Sequence, residues 1–308
     1  MAAGNTPPGR LWKKATFAVA SLVLTAAACG GGPQRPSSST APSPVQRRQL
    51  SVGGQARWYR VYAPASLEGQ QVPLVLALHG EGNTADSLVE TTQLDRQAQT
   101  GNFIVAYPEG LDLSWNGGLC CGRSMRSGVD DVGFLNRVLD EIERDYRVDR
   151  ARVYMVGISS GGFMAYRFAC EGAARVAGVG SVAGAMTLDA CNPARPLSVI
   201  EIHGTADPLV PFSGGTVRPE GVASADAPST EAVVGRWAAV DACPGPPRTT
   251  AEGVVTTTTW HGCRAGTEVR LVSVDGGGHT WFAPGLGSVA GAVDATAVIW
   301  SFLSSHPR

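Results

Sequence analysis

One serine, one aspartate and one histidine, in that order along the chain, are the residues whose types and surroundings could do chemistry together. Gly157, Ser159 and Gly161 form a G-x-S-x-G pattern inside Arg152-Val153-Tyr154-Met155-Val156-Gly157-Ile158-Ser159-Ser160-Gly161-Gly162-Phe163. A β-branched run precedes the serine and an amphipathic run follows it. In that strand–turn–helix setting a serine projects its hydroxyl from a strained turn, and the flanking glycines leave room for neighbouring backbone. The chemistry implied is nucleophilic attack on a carbonyl.

A serine nucleophile needs a base, and the base needs a carboxylate to orient it. The downstream histidines are His203, His261, His279 and His306. His203 ends a strand, His261 sits in a disulfide-bounded hairpin and His306 lies at the terminus. His279 follows Gly276-Gly277-Gly278, a turn able to carry an imidazole over a sheet edge, and is the expected base. Asp207, in His203-Gly204-Thr205-Ala206-Asp207-Pro208, leaves the carboxyl end of a buried strand, where open α/β sheets place their sites. It is preferred to Asp189, Asp226 and Asp275, none of which follows a comparable strand. The oxyanion would be held by the Ser160 amide, at the positive end of the following helix, and by the Glu81 amide, just after the strand that ends Leu78-His79-Gly80. Adjacent Asp130 and Asp131 could suggest a carboxylate pair for glycoside hydrolysis, but at a helix start they read as an N-cap and a dipole complement.

The elements that must position these groups alternate. Apolar strand-like runs at 56–63, 73–79, 103–107, 152–157, 176–182, 197–203 and 268–274 are interleaved with helical runs at 84–100, 131–146, 161–170, 230–240 and 290–304. Several strands are continuously apolar, as strands covered on both faces are. The expected fold is α/β: a mostly parallel central sheet with helices on both faces, in one domain over residues 50–305. Segments 210–228 and 243–267 read as loop-rich insertions.

Composition narrows the class. The 308 residues are 44% hydrophobic and 17% charged, with 25 basic against 26 acidic side chains. Such a chain can bury a core, and it offers no basic field for nucleic acid. At the N-terminus, Arg10, Lys13 and Lys14 precede the uncharged stretch 15–28, which is too short to span a bilayer and reads as a signal peptide over residues 1–28. That stretch ends Ala26-Ala27-Ala28-Cys29-Gly30, which resembles a bacterial lipobox with Ala in place of the usual Leu. Cys29 is thus either a lipidation site or the residue after an ordinary cleavage site. The Gly/Pro/Ser-rich residues 29–49 read as a tether. Membrane contact is expected only through that anchor, so the protein is an exported cell-envelope lipoprotein or a secreted one. Six further cysteines fit an oxidising compartment. Cys243–Cys263 and Cys170–Cys191 are the expected disulfides, while vicinal Cys120-Cys121 stays open. No metal-ligand spacing is present and no cofactor is expected.

Seven segments together resemble the esterase family that includes polyhydroxybutyrate depolymerases and feruloyl or acetylxylan esterases. They are LHG at 78–80, YPEG at 107–110, WNGGLCCG at 115–122, VDDVGF at 129–134, GISSGG at 157–162, HGTADPLVPF at 203–212 and GGGHTW at 276–281. The resemblance spans residues 50–305. It implies the α/β-hydrolase fold, a Ser159–Asp207–His279 triad, and Trp115, Asn116 and Trp281 near the acyl or alcohol pocket. Glu81 stands where members often carry Cys, and Phe282 where Pro commonly follows the Trp. The expected activity is serine carboxylester hydrolysis through an acyl-enzyme, by a monomer acting on hydroxyalkanoate oligomers or on feruloyl or acetyl carbohydrate esters. A serine peptidase and a non-catalytic surface-binding lipoprotein on the same scaffold are the competing readings.

Overall fold

The computed structural model describes residues 45–218, 226–287 and 289–308. In chain order these form β1 (Val45–Val52), β2 (Gln55–Tyr62), β3 (Val72–Leu78), α1 (Ala85–Thr92), α2 (Leu94–Gly101), β4 (Ile104–Pro108), α3 (Gly122–Arg126), α4 (Asp131–Asp145) and β5 (Val148–Ile158). There follow α5 (Ser160–Glu171), β6 (Gly178–Val182), β7 (Ser198–Gly204), β8 (Gly215–Thr216), β9 (Asp226–Ala227), α6 (Thr230–Val240), β10 (Arg248–Glu252), β11 (Val255–Trp260), β12 (Val269–Val274) and α7 (Ala295–Ser304). Residues 1–28, Cys29 and the tether up to residue 44 lie outside the described residues.

All seven residues of β3 are buried. Leu74, Leu76 and Leu78 face one hydrophobic cluster, and Val75 and Ala77 face the other. Alternation therefore persists, but both faces are apolar because both are covered. Phe134, Leu135, Val138, Leu139 and Ile142 of α4, with Phe163 and Phe168 of α5 and Trp237 of α6, fill the first cluster. Leu88 of α1, Leu94 and Ala98 of α2, and Ile299, Phe302 and Leu303 of α7 fill the second. Each such Leu, Ile or Phe side chain contributes roughly 1.5–3 kcal/mol on burial.

The sheet order is β1-β2-β4-β3-β5-β6-β7-β12-β11-β10. From β4 to β12 every neighbouring pair is parallel, and antiparallel β1-β2 and β10-β11 extend the two edges.

Four local expectations change. β1 begins at Val45, inside the stretch read as tether, because Gln46, Arg48 and Leu50 alternate toward the protein and pair in register with β2. The segment 243–267 carries a hairpin: Glu252 pairs with Val255 across a tight turn in which Gly253 has φ 58°. The helix expected over 84–100 breaks at Gln93 (φ 52°), which lets Leu88 and Leu94 both reach the sheet. At the C-terminus, α7 starts only where Asp294 accepts the Ala297 amide as N-cap.

Asp130 caps α4 by accepting the Gly133 amide at 2.7 Å, and buried Asp131 pairs with Arg57 at 2.7 Å. Both acids are thus occupied in holding the helix start. Disulfides join Cys170 to Cys191, Cys243 to Cys263, and Cys120 to Cys121.

The Cys243–Cys263 bridge spans a sequence separation of 20. Replacing both by Ser is expected to cost ~3 kcal/mol of unfolding free energy, the chain entropy that such a loop regains. The check is the urea midpoint of the double variant, and an unchanged midpoint would contradict the account.

Candidate active site

Ser159 sits between the end of β5 and the start of α5 with φ 54° and ψ −123°. A non-glycine residue persists there only when its surroundings fix it. They do: the Ser159 amide donates to the Val182 carbonyl, and its carbonyl accepts from Phe163. A methyl group on Gly157 would run into Gly161 backbone, and one on Gly161 into the carbonyl oxygens of Leu78 and His79. The glycines of the motif thus permit β3, β5 and α5 to meet behind the serine.

Asp207 and His279 arrive from β7 and β12, parallel neighbours in register from Val199↔Val269 to Gly204↔Val274. Past the strand ends the loops touch. The Ala206 amide donates to Gly277 O, the Gly276 amide donates to Thr205 Oγ1, and Thr205 Oγ1 donates to Asp275. A side chain on Gly204 would collide with the Gly277 and Gly278 carbonyls. This close approach sets His279 Nδ1 2.8 Å from Asp207 Oδ2. A carboxylate accepts, so Nδ1 carries the proton and Nε2 is left as the basic atom. Asp207 Oδ1 accepts the Leu209 and Val210 amides. Burial alone would raise the Asp207 carboxyl, but His203, His279 and the Val210 amide outweigh it and hold Asp207 well below the ordinary carboxylate range.

Ser159 and His279 line one cavity of about 280 Å³. Gly80, Glu81 and Asn83 of the loop after β3 form one side of it. Ile158, Phe163, Leu209, Val210, Val217 and Trp281 supply apolar wall, and Cys121 contributes from the disulfide-bonded pair. Gly80 packs 3.5 Å from Ser159 Cβ, measured from the position of its own missing Cβ. Ser160 is the first residue of α5, so its amide is among those a helix leaves without an intrahelical acceptor. Wider clefts of about 550 and 740 Å³ open beside Arg57 and Arg123 and beneath β10–β12, but neither is lined by a histidine.

Of the aromatic and amide residues that the resemblance implied near substrate, only Trp281 lines the cavity; its indole N–H donates to Thr296. Trp115 is fully buried and its N–H donates to the His79 carbonyl at 2.9 Å. Asn116 binds the Val129 carbonyl, the Asp131 carboxylate and Arg167. Both are committed to shaping the loop that ends at the cysteine pair. Phe282 is likewise a core residue, packed against Gly277 and not on the pocket rim. His79 is neutral: burial lowers it, Nε2 accepts from the Gly110 amide, and Nδ1 donates to Gly80 O. Asp226 and Asp275 bind Thr216 and Thr205, Asp189 is exposed, and His261 binds Glu268. Sequence reasoning weighed His203 only as a base and passed over the buried Glu201 beside it, behind Asp207. The legible signal was a charged residue inside the apolar strand Ser-Val-Ile-Glu-Ile-His-Gly.

A parallel core with helices on both faces and the serine on the β5–α5 turn is the α/β-hydrolase fold. Solved structures agree at the level of fold: an acetyl xylan esterase from Aspergillus awamori superposes with TM-score 0.56 at 16% identity, covering 76% of this chain and 94% of that one. An S-formylglutathione hydrolase from Agrobacterium tumefaciens does so with TM-score 0.52 at 14% identity, covering 86% and 95%. Residues 57–218 match the family described as esterase PHB depolymerase, and the chain belongs to that family. It is a carboxylic ester hydrolase. Among relatives, NocK of Nocardia uniformis subsp. tsuyamanensis, provisionally designated an esterase, is 32% identical across 87% of this chain and 89% of its own length. Feruloyl esterase B of Piromyces equi is 28% identical across 70% of this chain, which spans 41% of that protein.

The elbow makes a paired prediction. Gly161→Ala is expected to cost ~2–3 kcal/mol of stability, because its methyl meets fixed backbone. Gly278→Ala, where an added methyl meets nothing within 4 Å, leaves the Tm unchanged or slightly raised although it adjoins His279. Equal Tm changes for the two would contradict this reading.

Proposed function

We propose that the protein is an extracytoplasmic serine esterase in which Ser159, His279 and Asp207 form the catalytic triad. The observation that carries this reading is the 2.8 Å His279–Asp207 contact on the same cavity as Ser159, whose backbone is held at positive φ. Ser159 Oγ attacks the ester carbonyl while His279 Nε2 takes its proton. The C–O bond to the alcohol then breaks, and His279 returns the proton to the departing alkoxide. Water repeats the sequence on the acyl-enzyme and releases the acid. Asp207 keeps Nδ1 protonated throughout. The Ser160 and Glu81 amides are the donors assigned to the developing oxyanion.

The apolar wall of the cavity suits the carbon skeleton of an ester, with hydroxyalkanoate oligomers and feruloyl or acetyl carbohydrate esters as the substrate classes. Trp281 is the one aromatic of the predicted pocket set that lines the cavity. Export is supported by the three disulfides and by the signal-like stretch before Cys29. Anchoring through a lipidated Cys29 predicts that Cys29→Ser moves the protein from the membrane to the soluble fraction. A wild-type protein found soluble with no lipid mass on its N-terminus would overturn the anchor.

Single-turnover hydrolysis of a p-nitrophenyl ester tests the triad. Ser159→Ala and His279→Ala should each lose up to ~10⁶ in turnover, and the double variant almost nothing more, as groups acting as one unit behave. Losses that multiply in the double variant, or wild-type turnover by folded Ser159→Ala, would show the assignment to be wrong. A panel of hydroxybutyrate oligomers, methyl ferulate, acetylated xylan and a peptide separates the substrate classes.

A further inference from the structure

Behind Asp207 lies a second pair of charged groups that the esterase reaction, as written, does not use. Glu201 and His203 are both fully buried on β7, which lies between β6 and β12 in the parallel part of the sheet. Apolar side chains would serve the packing there at less cost, since burying an ion pair seldom adds stability.

The contacts fix the protons. His203 Nε2 lies 2.9 Å from the Val210 carbonyl oxygen, which can only accept, so Nε2 carries hydrogen. The same nitrogen is 3.3 Å from Asp207 Oδ2, the oxygen that also receives His279. Nδ1 faces Glu201 Oε1 at 3.0 Å. Glu201 already accepts the Tyr166 hydroxyl from α5 at 2.8 Å and the Gly184 amide at 3.3 Å. Burial raises the Glu201 carboxyl against the lowering by His203, Ser181 and Tyr166, while the Tyr166 and Gly184 hydrogen bonds engage it as an acceptor and leave the imidazole to supply the hydrogen at Oε1. The remaining groups facing the pair are neutral: Ser181 of β6 beside Glu201, Thr230 of α6 at 3.3 Å from Nδ1, and the edge of the Phe212 ring. Flanked by two carboxylates and, among the described residues, by no cation, His203 keeps a proton on both nitrogens. Burial lowers its affinity for the second proton, but Asp207 and Glu201 prevail and push it up to about 10.

We propose that Glu201 and His203 are positioning residues for the hydrolysis, with Glu201 holding His203 as an imidazolium whose Nε2–H shares Asp207 Oδ2 with His279. The proposal rests on the triad reading given above. The shared oxygen fixes the plane of the Asp207 carboxylate, and the cation offsets part of its charge. Sharing the oxygen weakens the field of Asp207 at His279, which extends activity toward acid.

Glu201→Gln keeps the shape and removes the charge that supports the imidazolium. His203 then becomes neutral, and the nearest cation to Asp207 is lost. In the folded variant the acid limb of kcat/KM against pH should move upward by about half a pH unit, with a smaller effect on the plateau. A purely structural role would lower the plateau and leave the limb in place. ¹⁵N spectra of the unmutated protein supply the second readout: one imidazole should carry protons on both nitrogens at pH 8 and lose one of them in Glu201→Gln. A third follows by linkage. The folded chain keeps this proton to about 10, whereas an unfolded histidine releases it near ~6.5, so stability should decline as pH rises across that window. The only lysines in the chain are Lys13 and Lys14, and the six tyrosines, ordinarily near ~10, titrate at the top of that window, so the decline is read between about pH 7 and 9.

An unmoved acid limb in the folded variant overturns the proposal. So does a wild-type protein without a doubly protonated ring at pH 8, and that measurement decides the matter if Glu201→Gln does not fold. Turnover retained by Ser159→Ala would instead overturn the triad reading, leaving the protonation of His203 to be read independently.

Discussion

The site depends on how closely the carboxyl ends of β7 and β12 can approach. Parallel pairing brings the strands side by side, but the Asp207–His279 contact forms only because the next residues also fit. Gly204 leaves space for the Gly277 carbonyl, and Thr205 binds the turn from the other side. A larger residue at 204 would separate the loops, and with them the carboxylate and the imidazole. The same logic governs the serine, where Gly157 and Gly161 let three backbones converge. Glycine is used at these points because backbone has to pass backbone.

Around that constraint, several local departures from ordinary folding preference coincide with groups the proposed chemistry needs. Ser159 occupies a backbone region that side chains avoid. Asp207 is buried yet ionised, because amides and two imidazoles surround it. Glu201 and His203 interrupt a strand that is otherwise apolar after Ser198. Such violations concentrate where function compensates for them. Trp115 and Asn116 illustrate the converse: polar or amphipathic residues beside the site whose hydrogen bonds are spent on the loop itself.

The parallel core was legible in the sequence because strands buried on both faces leave continuous apolar runs, and the serine turn because its glycines have a fixed spacing. β1 was not, because Arg47, Arg48 and Gln49 look like linker and acquire a strand only by pairing with β2. β10 was hidden for a similar reason, since it is exposed along its length and carries no burial pattern. The break at Gln93 has no glycine or proline to announce it. Asp207 and His279 could be nominated one by one, but their contact spans 72 positions of sequence and depends on the sheet order. The link from His203 to the same carboxylate oxygen is only four positions long, but it was invisible because it depends on how the loop after β7 folds Asp207 and Val210 back onto Nε2.

The central claim is that Ser159 is a nucleophile activated by His279 and Asp207. Its most direct test is covalent capture: react the folded protein with a fluorophosphonate, then locate the adduct by peptide mass mapping. The account predicts one adduct per chain, on the peptide carrying Ser159, formed at least a thousandfold more slowly in His279→Ala, as expected when a serine loses its base. An adduct on another residue, or labelling of Ser159 at an undiminished rate without His279, would contradict it.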